Sequence, residues 1–485
     1  MSRESIRAYF EKTAPRWDHW MRKSRYYHGY VYDRIQGMVP PGKAVLVYGA
    51  GTGDLLDRVK PGRGVGLNVA EELTRLAREK YPGHEFITVD VDEIRIPEGF
   101  HADYVIMHNM LDLVYDIWAV LEHLRPALHE HSVIIVTTSN PLWSPLLKLG
   151  SMVGQRTPNS PRNYITNKDI SSVLRLQGLD VVEEGMLLPV PRYVPLVSAF
   201  LNALVPHVPV LRYTGSTQYI VARPRVQRRP PKVSVIIPCH DEEDNIAQAI
   251  RRTPDMYAGT EVIVVNDGSR DRTVDAVKEV MTSDPRVRLV STQRNQGKAS
   301  AVKAGMDAAT GDVVVILDAD MTVMPEELPK FIHSLYQGTA DFVNGTRLVY
   351  PMDKGAMSYR NYLGNKAFCF LASFIMRQRV SDTLCGTKAF FKGDYLHMPL
   401  QGRERWGDFD FLYSAARLKL RILEIPIHYQ ERVAGVSKMH VLRDGFLFLR
   451  ASLQGWRLIN SPRKYPLPAR REPIRGWEEI RQEAD

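Results

Sequence analysis

Short β-branched runs alternate with helical patterns along most of this chain. The strand-like runs of the first half are AVLVYGA, GVGLNV, EFITVDV, ADYVIMHN and HSVIIVTTS, and those of the second half are VSVIIPC, EVIVVND, VRLVSTQ and VVVILDA. Nearly continuous apolar strands between helices predict parallel sheets covered on both faces. We therefore expect an α/β protein with two doubly wound domains in series, since the halves share this alternation without sharing motifs.

A basic, proline-rich segment separates the two halves. Residues 222–233, ARPRVQRRPPKV, contain four arginines, three prolines and a lysine. This composition packs poorly and predicts a linker. We expect a first domain at residues 1–224, a linker at 225–232, a second domain at 233–460 and a flexible charged tail at 461–485.

Charge and cysteine content indicate which classes of binding partner and which cellular compartment to expect. The 485 residues carry a formal net charge of +9 at pH 7, which favours nucleotide phosphates, an acidic membrane face or nucleic acid. Three cysteines without C-x-x-C spacing argue for a reducing compartment and against a disulfide or zinc framework. No signal-peptide core and no transmembrane helix is predicted. We expect a cytoplasmic protein that is peripheral on the cytoplasmic face of a membrane.

A glycine-rich loop follows the first strand-like run. Gly49, Gly51 and Gly53 lie in VLVYGAGTGDLL before a predicted helix, where glycine permits a tight turn and close approach of a ligand. The loop alone does not choose between a dinucleotide and another adenosyl ligand. Together with AYFEKTAPRWD, it makes residues 6–224 resemble the class I S-adenosylmethionine (SAM)-dependent methyltransferases.

This resemblance implies a set of SAM-binding residues and methyl transfer to an acceptor that no residue identifies. The glycines match the family's loop, Asp90 in TVDVDEI matches the acid near the adenine ring, and Asn109 in VIMHNMLDLV matches the residue beside the transferable methyl group. Two positions depart from the family, because Val47 replaces the loop acid and Asn68 replaces the ribose-binding acid. An amide accepts through only one oxygen, so Asn68 predicts weaker SAM binding.

Two acids end an apolar run in GDVVVILDADMTV. Asp favours loop entry, so a plain turn is one interpretation of Asp318 and Asp320. Residues i and i+2 of a strand point to one side, however, and ligands bind at the carboxyl ends of strands in open α/β sheets. A divalent cation such as Mg²⁺ or Mn²⁺ would relieve the repulsion between two acids there. We therefore predict a metal site at these two residues.

Motifs at neighbouring strand ends strengthen the metal prediction. KVSVIIPCHDEEDNI, EVIVVNDGSRDRT and RNQGKASAVKAG precede the two acids in the order that family 2 glycosyltransferases of GT-A fold show, and they resemble that family. The third motif begins a helix, which suits phosphate oxygens. The resemblance implies a nucleotide-sugar donor. The donor-binding residues that it implies are Pro238, Glu242, Asp267, Gly268, Gly297, Lys298, Asp318, Arg347 and Asp382.

Later motifs narrow the resemblance to polyprenol-phosphate glycosyltransferases of the dolichol-phosphate mannose synthase type. The residues that match this type are Arg347, Arg360, Asn365, Asp382, Cys385 and Gly386, followed by Arg432, Gly435, Ser437 and Lys438 in the pattern R-x-x-G-x-S-K. Arginine suits phosphate oxygens bidentately, and lysine adds a point charge. The catalytic residues that the resemblance implies are Asp320, Arg360, Asp410, Arg432 and Lys438.

The acceptor decides the role of Asp410. This residue belongs to a partial F-D-x-E stretch in which Leu412 occupies the Glu position. The second pKa of a phosphate monoester is near 6, so a polyprenyl phosphate would be ionised without a base, and Asp410 would orient sugar or acceptor. With a sugar hydroxyl as acceptor, Asp410 is the candidate general base. The resemblance implies inversion by single displacement.

Two apolar segments suggest contact with a membrane. Residues 441–459 place Leu442, Phe446, Leu449, Leu453 and Trp456 on one helical stripe bordered by arginines, which would rest on anionic headgroups or pack against its own domain. The uncharged stretch 193–211 contains three prolines, and it predicts a cover over a core or an interfacial element rather than a span.

Three functional hypotheses follow. In the first, the chain is a bifunctional enzyme that transfers a sugar to a polyprenyl phosphate or related glycan and methylates an unknown acceptor. In the second, the glycosyltransferase carries a non-catalytic methyltransferase-like adapter, which Val47 and Asn68 favour. Nucleic-acid binding is the third and has little support, because the basic residues are not interleaved with stacking aromatics.

Overall fold

A computed structural model describes residues 3–155, 157, 163–205, 211–225, 228–292, 294–350, 359–400, 407–430 and 441–460. The chain divides into two compact units between Arg225 and Val226. Each unit contains one seven-stranded sheet with helices on both faces. The α/β fold class with two such domains in series is therefore confirmed.

The first unit has its sheet in the order β3-β2-β1-β4-β5-β7-β6. Its strands are β1 (Ala44–Tyr48), β2 (Arg63–Asn68), β3 (Glu85–Thr88), β4 (Ala102–His108), β5 (Leu128–Ser139), β6 (Leu179–Leu187) and β7 (Thr217–Pro224). Its helices are α1 (Arg3–Thr13), α2 (Trp17–Lys23), α3 (Arg25–Gln36), α4 (Asp54–Arg58), α5 (Glu71–Lys80), α6 (Ile117–Leu124), α7 (Ser144–Met152), α8 (Asn167–Leu176) and α9 (Val197–Leu204). In β1, Leu46 and Tyr48 enter one apolar core while Val45 and Val47 enter a second. Alternate side chains of a strand point to opposite faces, so both faces of this sheet are covered.

The second unit has its sheet in the order β10-β9-β8-β11-β13-β12-β14. Its strands are β8 (Val233–Cys239), β9 (Thr260–Asn266), β10 (Val287–Ser291), β11 (Val313–Ile316), β12 (Phe342–Thr346), β13 (Lys388–Phe391) and β14 (Ile422–Pro426). Its helices are α10 (Ile246–Arg251), α11 (Thr273–Met281), α12 (Lys298–Ala308), α13 (Leu328–Tyr336), α14 (Tyr359–Met376), α15 (Lys392–Tyr395), α16 (Asp408–Arg417) and α17 (Val441–Asn460). The carboxyl ends of β8, β9 and β11 share one edge because these strands are parallel.

The prediction of purely parallel sheets is wrong in one strand of each unit. Strand β7 runs antiparallel to β5 and β6, and β13 runs antiparallel to β11 and β12. Every residue of β7 is buried, as in a parallel strand covered on both faces, although the strand includes Gln218 and Arg223. Hydrophobic pattern alone therefore could not reveal its direction.

Part of the basic segment between the units packs more closely than its composition predicts. The Arg225 backbone N–H donates to the Gly178 carbonyl at 2.7 Å. Arg228 is only 8% exposed, its Nη2 lies 3.0 Å from Asp341 Oδ1, and its guanidinium lies 3.9 Å from the centre of the Phe391 ring. An acid and an aromatic face thus hold a residue that was expected to be solvated.

Among the helices that the structure describes, none is long and apolar enough to cross a membrane.

Candidate functional site

The loops that follow β8 and β9 are bonded to each other. Asp241 has a positive φ of 54° and accepts from the Arg270 backbone N–H at 2.8 Å, while its own N–H donates to Ser269 Oγ at 3.0 Å. Glu242 accepts from Asn245 Nδ2 at 2.8 Å, so one of its oxygens is already bound. Pro238, the penultimate residue of β8, is partly exposed at the same strand end. Both loops are therefore pre-organised at the predicted donor site.

Asp267 holds the loop that precedes α12. Its two carboxylate oxygens accept from the backbone N–H groups of Gln296 at 2.8 Å and Gly297 at 2.7 Å. Gly268 has a φ of 69°, and a Cβ there would lie 2.7 Å from the Asn295 backbone nitrogen. Asp267 is 3% exposed, so in this structure it positions the donor loop, and its direct contact with a nucleotide stays a prediction.

The helix α12 begins at the centre of the candidate site. Gly297 is its N-cap with a φ of 92°, and Lys298 is its first residue. The Lys298 ammonium forms an ion pair with Asp318. Burial alone would lower the pKa of Lys298, but the charges of Asp318, Asp408 and Asp320 outweigh it and raise this pKa above its usual value. Lys298 therefore stays a cation throughout the neutral range.

The two acids of the predicted metal site lie just beyond β11. This strand ends at Ile316, and the acids fall in the turn that follows. Asp318 keeps 27% of its side chain exposed, and Asp320 is 8% exposed with Oδ1 accepting from Thr322 Oγ1 at 2.7 Å. The two interpretations are therefore compatible: the acids lie in the connection after β11, and this connection starts at the carboxyl end of the strand.

The predicted metal site offers two carboxylates, one of which is paired with Lys298. Among the described residues, no group of three or more His, Cys, Asp or Glu side chains is arranged to hold a metal. Mg²⁺ is commonly bound through one or two carboxylates, with substrate phosphates and water supplying its other ligands. Asp318 and Asp320 are therefore a suitable partial site.

Gly386 packs against the charged pair. A Cβ built on Gly386 overlaps Asp318 Oδ2 and Lys298 Nζ. A side chain at this point of the chain would therefore have to displace at least one of the two charged groups. The sequence resemblance singled out this glycine, and the structure places it in the candidate site.

We expect Gly386→Ala to lower glycosyl transfer by at least about tenfold, the equivalent of about 1.4 kcal/mol, because the added methyl displaces the Lys298–Asp318 pair. Initial rates at saturating donor measure the effect. The matched control is Gly364→Ala in α14, where a Cβ meets nothing within 4 Å. Equal rates for both variants and the parent would contradict the placement of Gly386.

Arg347 and Asp382 form a buried network instead of an open ligand surface. Arg347 Nε and Nη2 lie 2.8 and 2.9 Å from the two oxygens of Asp382, and Asn365 Nδ2 donates to the same carboxylate at 2.8 Å. Burial alone would raise the pKa of Asp382, but Arg347 outweighs it and holds this pKa at about 2. Asp382 has no exposed surface, so the predicted direct contact with the donor does not fit this structure. It anchors Arg347 instead.

Two charged residues that the sequence prediction missed lie in this region. Lys388 is completely buried and donates to Asp408 Oδ1 at 2.7 Å. Asp408 also contributes to the raised pKa of Lys298, which places it near the donor loop. Asp410, the predicted residue, lies two positions later in the first turn of α16 and is half-buried. The signal was available, because DFDF contains both acids.

Three of the predicted catalytic groups cannot be located. Arg432 and Lys438 lie outside the described residues, as do Gly435 and Ser437. Arg360 belongs to α14, but its side chain is outside the described part of the chain.

The first unit contains a cavity of about 580 Å³ beside its glycine loop. Gly49 and Gly51 line it with φ values of 78° and 57°, and side chains at these positions would overlap Met110 and Trp17. Gly53 has a φ of 92° but faces Tyr81 and Phe86 rather than the cavity. Two of the three predicted glycines therefore border the cavity directly.

The other predicted SAM-binding residues differ in their placement. Asn109 lines the cavity, and its buried Oδ1 accepts no hydrogen bond from the described residues. Asn68 also lines it, but its Oδ1 accepts from the Gly51 N–H at 2.8 Å and its Nδ2 donates to the Gly51 carbonyl at 2.9 Å. Asp90 is exposed and does not line the cavity, so the prediction that it binds the adenine end is not supported.

We expect Asn68→Asp to destabilise the first unit by about 1–3 kcal/mol. Asn68 is only 1% exposed, and a carboxylate at this position cannot donate to the Gly51 carbonyl, which then loses its hydrogen bond. Thermal unfolding followed by circular dichroism measures the change. Glu79→Gln on the exposed side of α5 serves as the charge-changing control. A stability equal to that of the parent would show that this reciprocal pair contributes nothing.

Comparisons with known proteins bear on both units. Residues 234–396 match the sequence profile described as Glycosyl transferase family 2. The chain is 31% identical over 219 residues to an undecaprenyl-phosphate 4-deoxy-4-formamido-L-arabinose transferase of Edwardsiella ictaluri, which covers 44% of this chain and 64% of that protein. The chain thus spans less than two thirds of the length of this relative.

Solved structures match each unit separately at low identity. A mannosyltransferase of Pyrobaculum calidifontis in complex with GDP-Man and Mn²⁺ is 19% identical, covers 49% of this chain and 70% of its own, and gives a TM-score of 0.35. A SAM-dependent methyltransferase of Thermotoga maritima is 13% identical, covers 45% of this chain and 99% of its own, and gives a TM-score of 0.35.

Proposed function

We propose that the second half of this chain, where residues 234–396 match the Glycosyl transferase family 2 profile, transfers a sugar from a nucleotide sugar to a polyprenyl phosphate or a related glycan. The observation that carries this proposal is the packing of Lys298, Asp318 and Gly386 together beyond β11, next to Asp320. The undecaprenyl-phosphate transferase that the chain resembles supports a lipid monophosphate as the acceptor.

The reaction requires that negative charge on the leaving group be neutralised. Asp318 and Asp320 would hold Mg²⁺ or Mn²⁺, which supplies Lewis-acid stabilisation of a leaving diphosphate when bound. Lys298 adds a permanent positive charge at the start of α12, where the backbone N–H groups also favour an anion. Pro238, Glu242 and Gly268 would complete the donor site from the two pre-organised loops.

The transfer step is a single displacement at the anomeric carbon. An oxygen of the acceptor phosphate forms the new bond to this carbon while the bond to the donor's diphosphate breaks and its electron pair leaves with the nucleoside diphosphate. The acceptor is largely ionised at neutral pH because its second pKa is near 6, so no proton has to be removed. Asp410 then orients the reactants, and it acts as the general base only if the acceptor is a hydroxyl.

Basic residues near the acceptor complete the proposal. Arg360, Arg432 and Lys438 would bind the acceptor phosphate and the diphosphate, since guanidinium and ammonium groups suit phosphate oxygens. Arg347 supports this region from the buried pair with Asp382 and lies with its guanidinium 5.0 Å from the Tyr429 ring centre.

The last described helix supports contact with a membrane. On α17, Phe446, Leu449 and Leu453 are 70%, 54% and 50% exposed, whereas Phe448 and Ser452 on the opposite face are buried. The exposure of these three members of the stripe favours contact with headgroups over packing against the domain. An apolar stripe with basic neighbours suits an anionic lipid surface, and we propose peripheral attachment there.

For the first unit we propose SAM binding in its cavity and methylation of a still unidentified acceptor. Bound SAM would supply an electrophilic methyl group. Asn109 Oδ1, which accepts no hydrogen bond within the described part of the chain, could accept one from a ligand in the cavity, and this favours the proposal. Asn68 favours the adapter alternative, because its side-chain oxygen and nitrogen are both hydrogen-bonded to the Gly51 backbone instead of facing a ligand.

SAM binding by the full-length chain separates these alternatives. Calorimetric titration should give a saturable heat that Asn109→Ala weakens if the cavity holds SAM. An adapter should give no heat with either protein.

The glycosyltransferase proposal is tested by transfer from a panel of radiolabelled nucleotide sugars into butanol-extractable lipid, with Mg²⁺ or Mn²⁺ present. We expect label in the lipid phase that a chelator abolishes. Metal-dependent donor hydrolysis without lipid label would instead assign a soluble glycan acceptor and make Asp410 the base to test.

A further inference from the structure

The helix α9 has its polar residues directed inward. Ser198 and Asn202 are 0% and 2% exposed, whereas Phe200 on the other face is 63% exposed. Asn202 explains this orientation, because its Oδ1 accepts from the Val190 N–H at 2.8 Å and its Nδ2 donates to Tyr26 Oη at 3.1 Å. A surface helix normally turns its apolar stripe toward the core. The apolar face of α9 is therefore left open to an external partner.

A second helix, α7, lines the cavity of the first unit and is equally unusual. No residue of α7 is buried, and Leu146, Leu149 and Met152 are 57%, 55% and 77% exposed. A nine-residue helix of this composition stabilises the fold very little while its apolar side chains remain in water. Exposed apolar patches of this kind mark interaction sites.

Hydrogen bonds connect the start of α7 to described residues that come after α9 in the chain. Trp143 Nε1 donates to the Thr214 carbonyl at 2.8 Å, and Asn140 Nδ2 donates to the Tyr213 carbonyl at 3.1 Å. These bonds join the start of α7 to the segment that follows α9. We name residues 140–155, 190–205 and 211–214 the apolar rim.

The cavity of the first unit opens at this rim. Leu146 and Arg192 both line the cavity and are both exposed, so the cavity reaches the surface between them. A molecule that enters there passes between α7 and the segment that leads to α9.

The charge of the rim selects among possible partners. Residues 131–168 and 185–240 contain no Asp or Glu, although they contain several Lys and Arg. Lys148 and Arg192 are exposed on the rim, and Tyr193 and Tyr213 are 63% and 53% exposed. Apolar side chains with basic and aromatic neighbours and no acids match the boundary between lipid headgroups and acyl chains.

We propose that the apolar rim docks on an anionic lipid bilayer, so that the cavity of the first unit opens at the membrane and receives an acceptor that carries an apolar chain. The docking surface goes beyond the proposed function, which assigns membrane contact to α17 alone. The nature of the acceptor rests on the proposed methyl transfer, whereas the docking itself does not.

The test uses a polarity-sensitive nitrobenzoxadiazole label on the full-length chain. The three native cysteines, Cys239, Cys369 and Cys385, are buried, so a cysteine introduced at the surface is labelled selectively. Phe200→Cys places the label on the rim, and Leu149→Cys is the second rim variant. Glu79→Cys on exposed α5 is the control in the same unit. The probes are vesicles of phosphatidylcholine with and without phosphatidylglycerol.

We expect a blue shift for both rim labels with phosphatidylglycerol vesicles, quenching by nitroxide-bearing lipid, and no response at position 79. Rim labels that stay unchanged overturn the inference. If the rim labels do not respond but a label at Phe446→Cys does, the rim inference is wrong while the membrane contact proposed for α17 still holds. A rim response that rises with protein concentration in the absence of vesicles also overturns it, because self-association would then cover the rim.

Discussion

Asp320→Ala is expected to reduce glycosyl transfer by about 10³-fold or more, the equivalent of about 4 kcal/mol of transition-state stabilisation. The residue is one of the two carboxylates assigned to the predicted metal site, and its loss leaves Asp318, which is paired with Lys298, as the other assigned ligand. Initial rates of lipid labelling at saturating metal measure the effect. Asp320 is assigned to stabilise charge that develops on the leaving group in the transition state. Its loss should therefore lower kcat more than it raises KM.

A second substitution separates this effect from stability. Asp320 Oδ1 accepts from Thr322 N and Oγ1, so alanine also removes two hydrogen bonds. Asp320→Asn keeps an acceptor for Thr322 but removes the charge, and it should lose as much activity as alanine with an unchanged unfolding midpoint. Asp307→Ala on the exposed side of α12 is the control that should remain fully active. Activity of Asp320→Asn near that of the parent would remove the metal role.

The largest effect on stability is expected for Lys388→Met, which should cost about 3–5 kcal/mol because it leaves the buried Asp408 without its ion-pair partner. Lys388 has no exposed surface and also donates to the Cys385 carbonyl. Urea denaturation followed by circular dichroism measures the change. Lys303→Met, at a pair 67% and 59% exposed, should change stability by less than about 1 kcal/mol.

The double variant Lys388→Met/Asp408→Leu is the decisive comparison. Replacement of both members of a buried pair by apolar residues is often nearly neutral, so the double variant should recover most of the loss. A double variant no more stable than Lys388→Met would mean that the cost arises from the lost contact to Cys385 or from packing, and not from the isolated charge of Asp408.

The strands that bear the site were readable from sequence, and the later strands were not. Strands β8, β9, β10 and β11 correspond to apolar runs that end in polar motifs, so their edge and its ligands could be predicted. Strand β12 reads FVNGT, in which Asn-Gly is a typical turn signal, and β13 (KAFF) and β14 (ILEIP) include a lysine or a glutamate and a proline. Tertiary pairing, and not local pattern, makes these segments strands.

For single residues, too, some placements were predictable from the sequence and others were not. Asp318, Lys298 and Gly386 were predicted from motifs and lie together. Asp382 was predicted as a ligand but is fully buried, because sequence spacing cannot tell an exposed acid from one held by an arginine. Asn68 was interpreted as a weakened ligand, and only the structure reveals its reciprocal bonds to Gly51.

Identification of the nucleotide product tests the central claim most directly. The purified chain would be incubated with a nucleotide sugar, Mg²⁺ or Mn²⁺ and a short-chain polyprenyl phosphate, and the released nucleotide would be quantified by chromatography. Transfer of a sugar to the lipid phosphate predicts one nucleoside diphosphate for each lipid product, with little release when the lipid is absent. Release of a nucleoside monophosphate, or of diphosphate at a rate that the lipid does not change, would contradict the account.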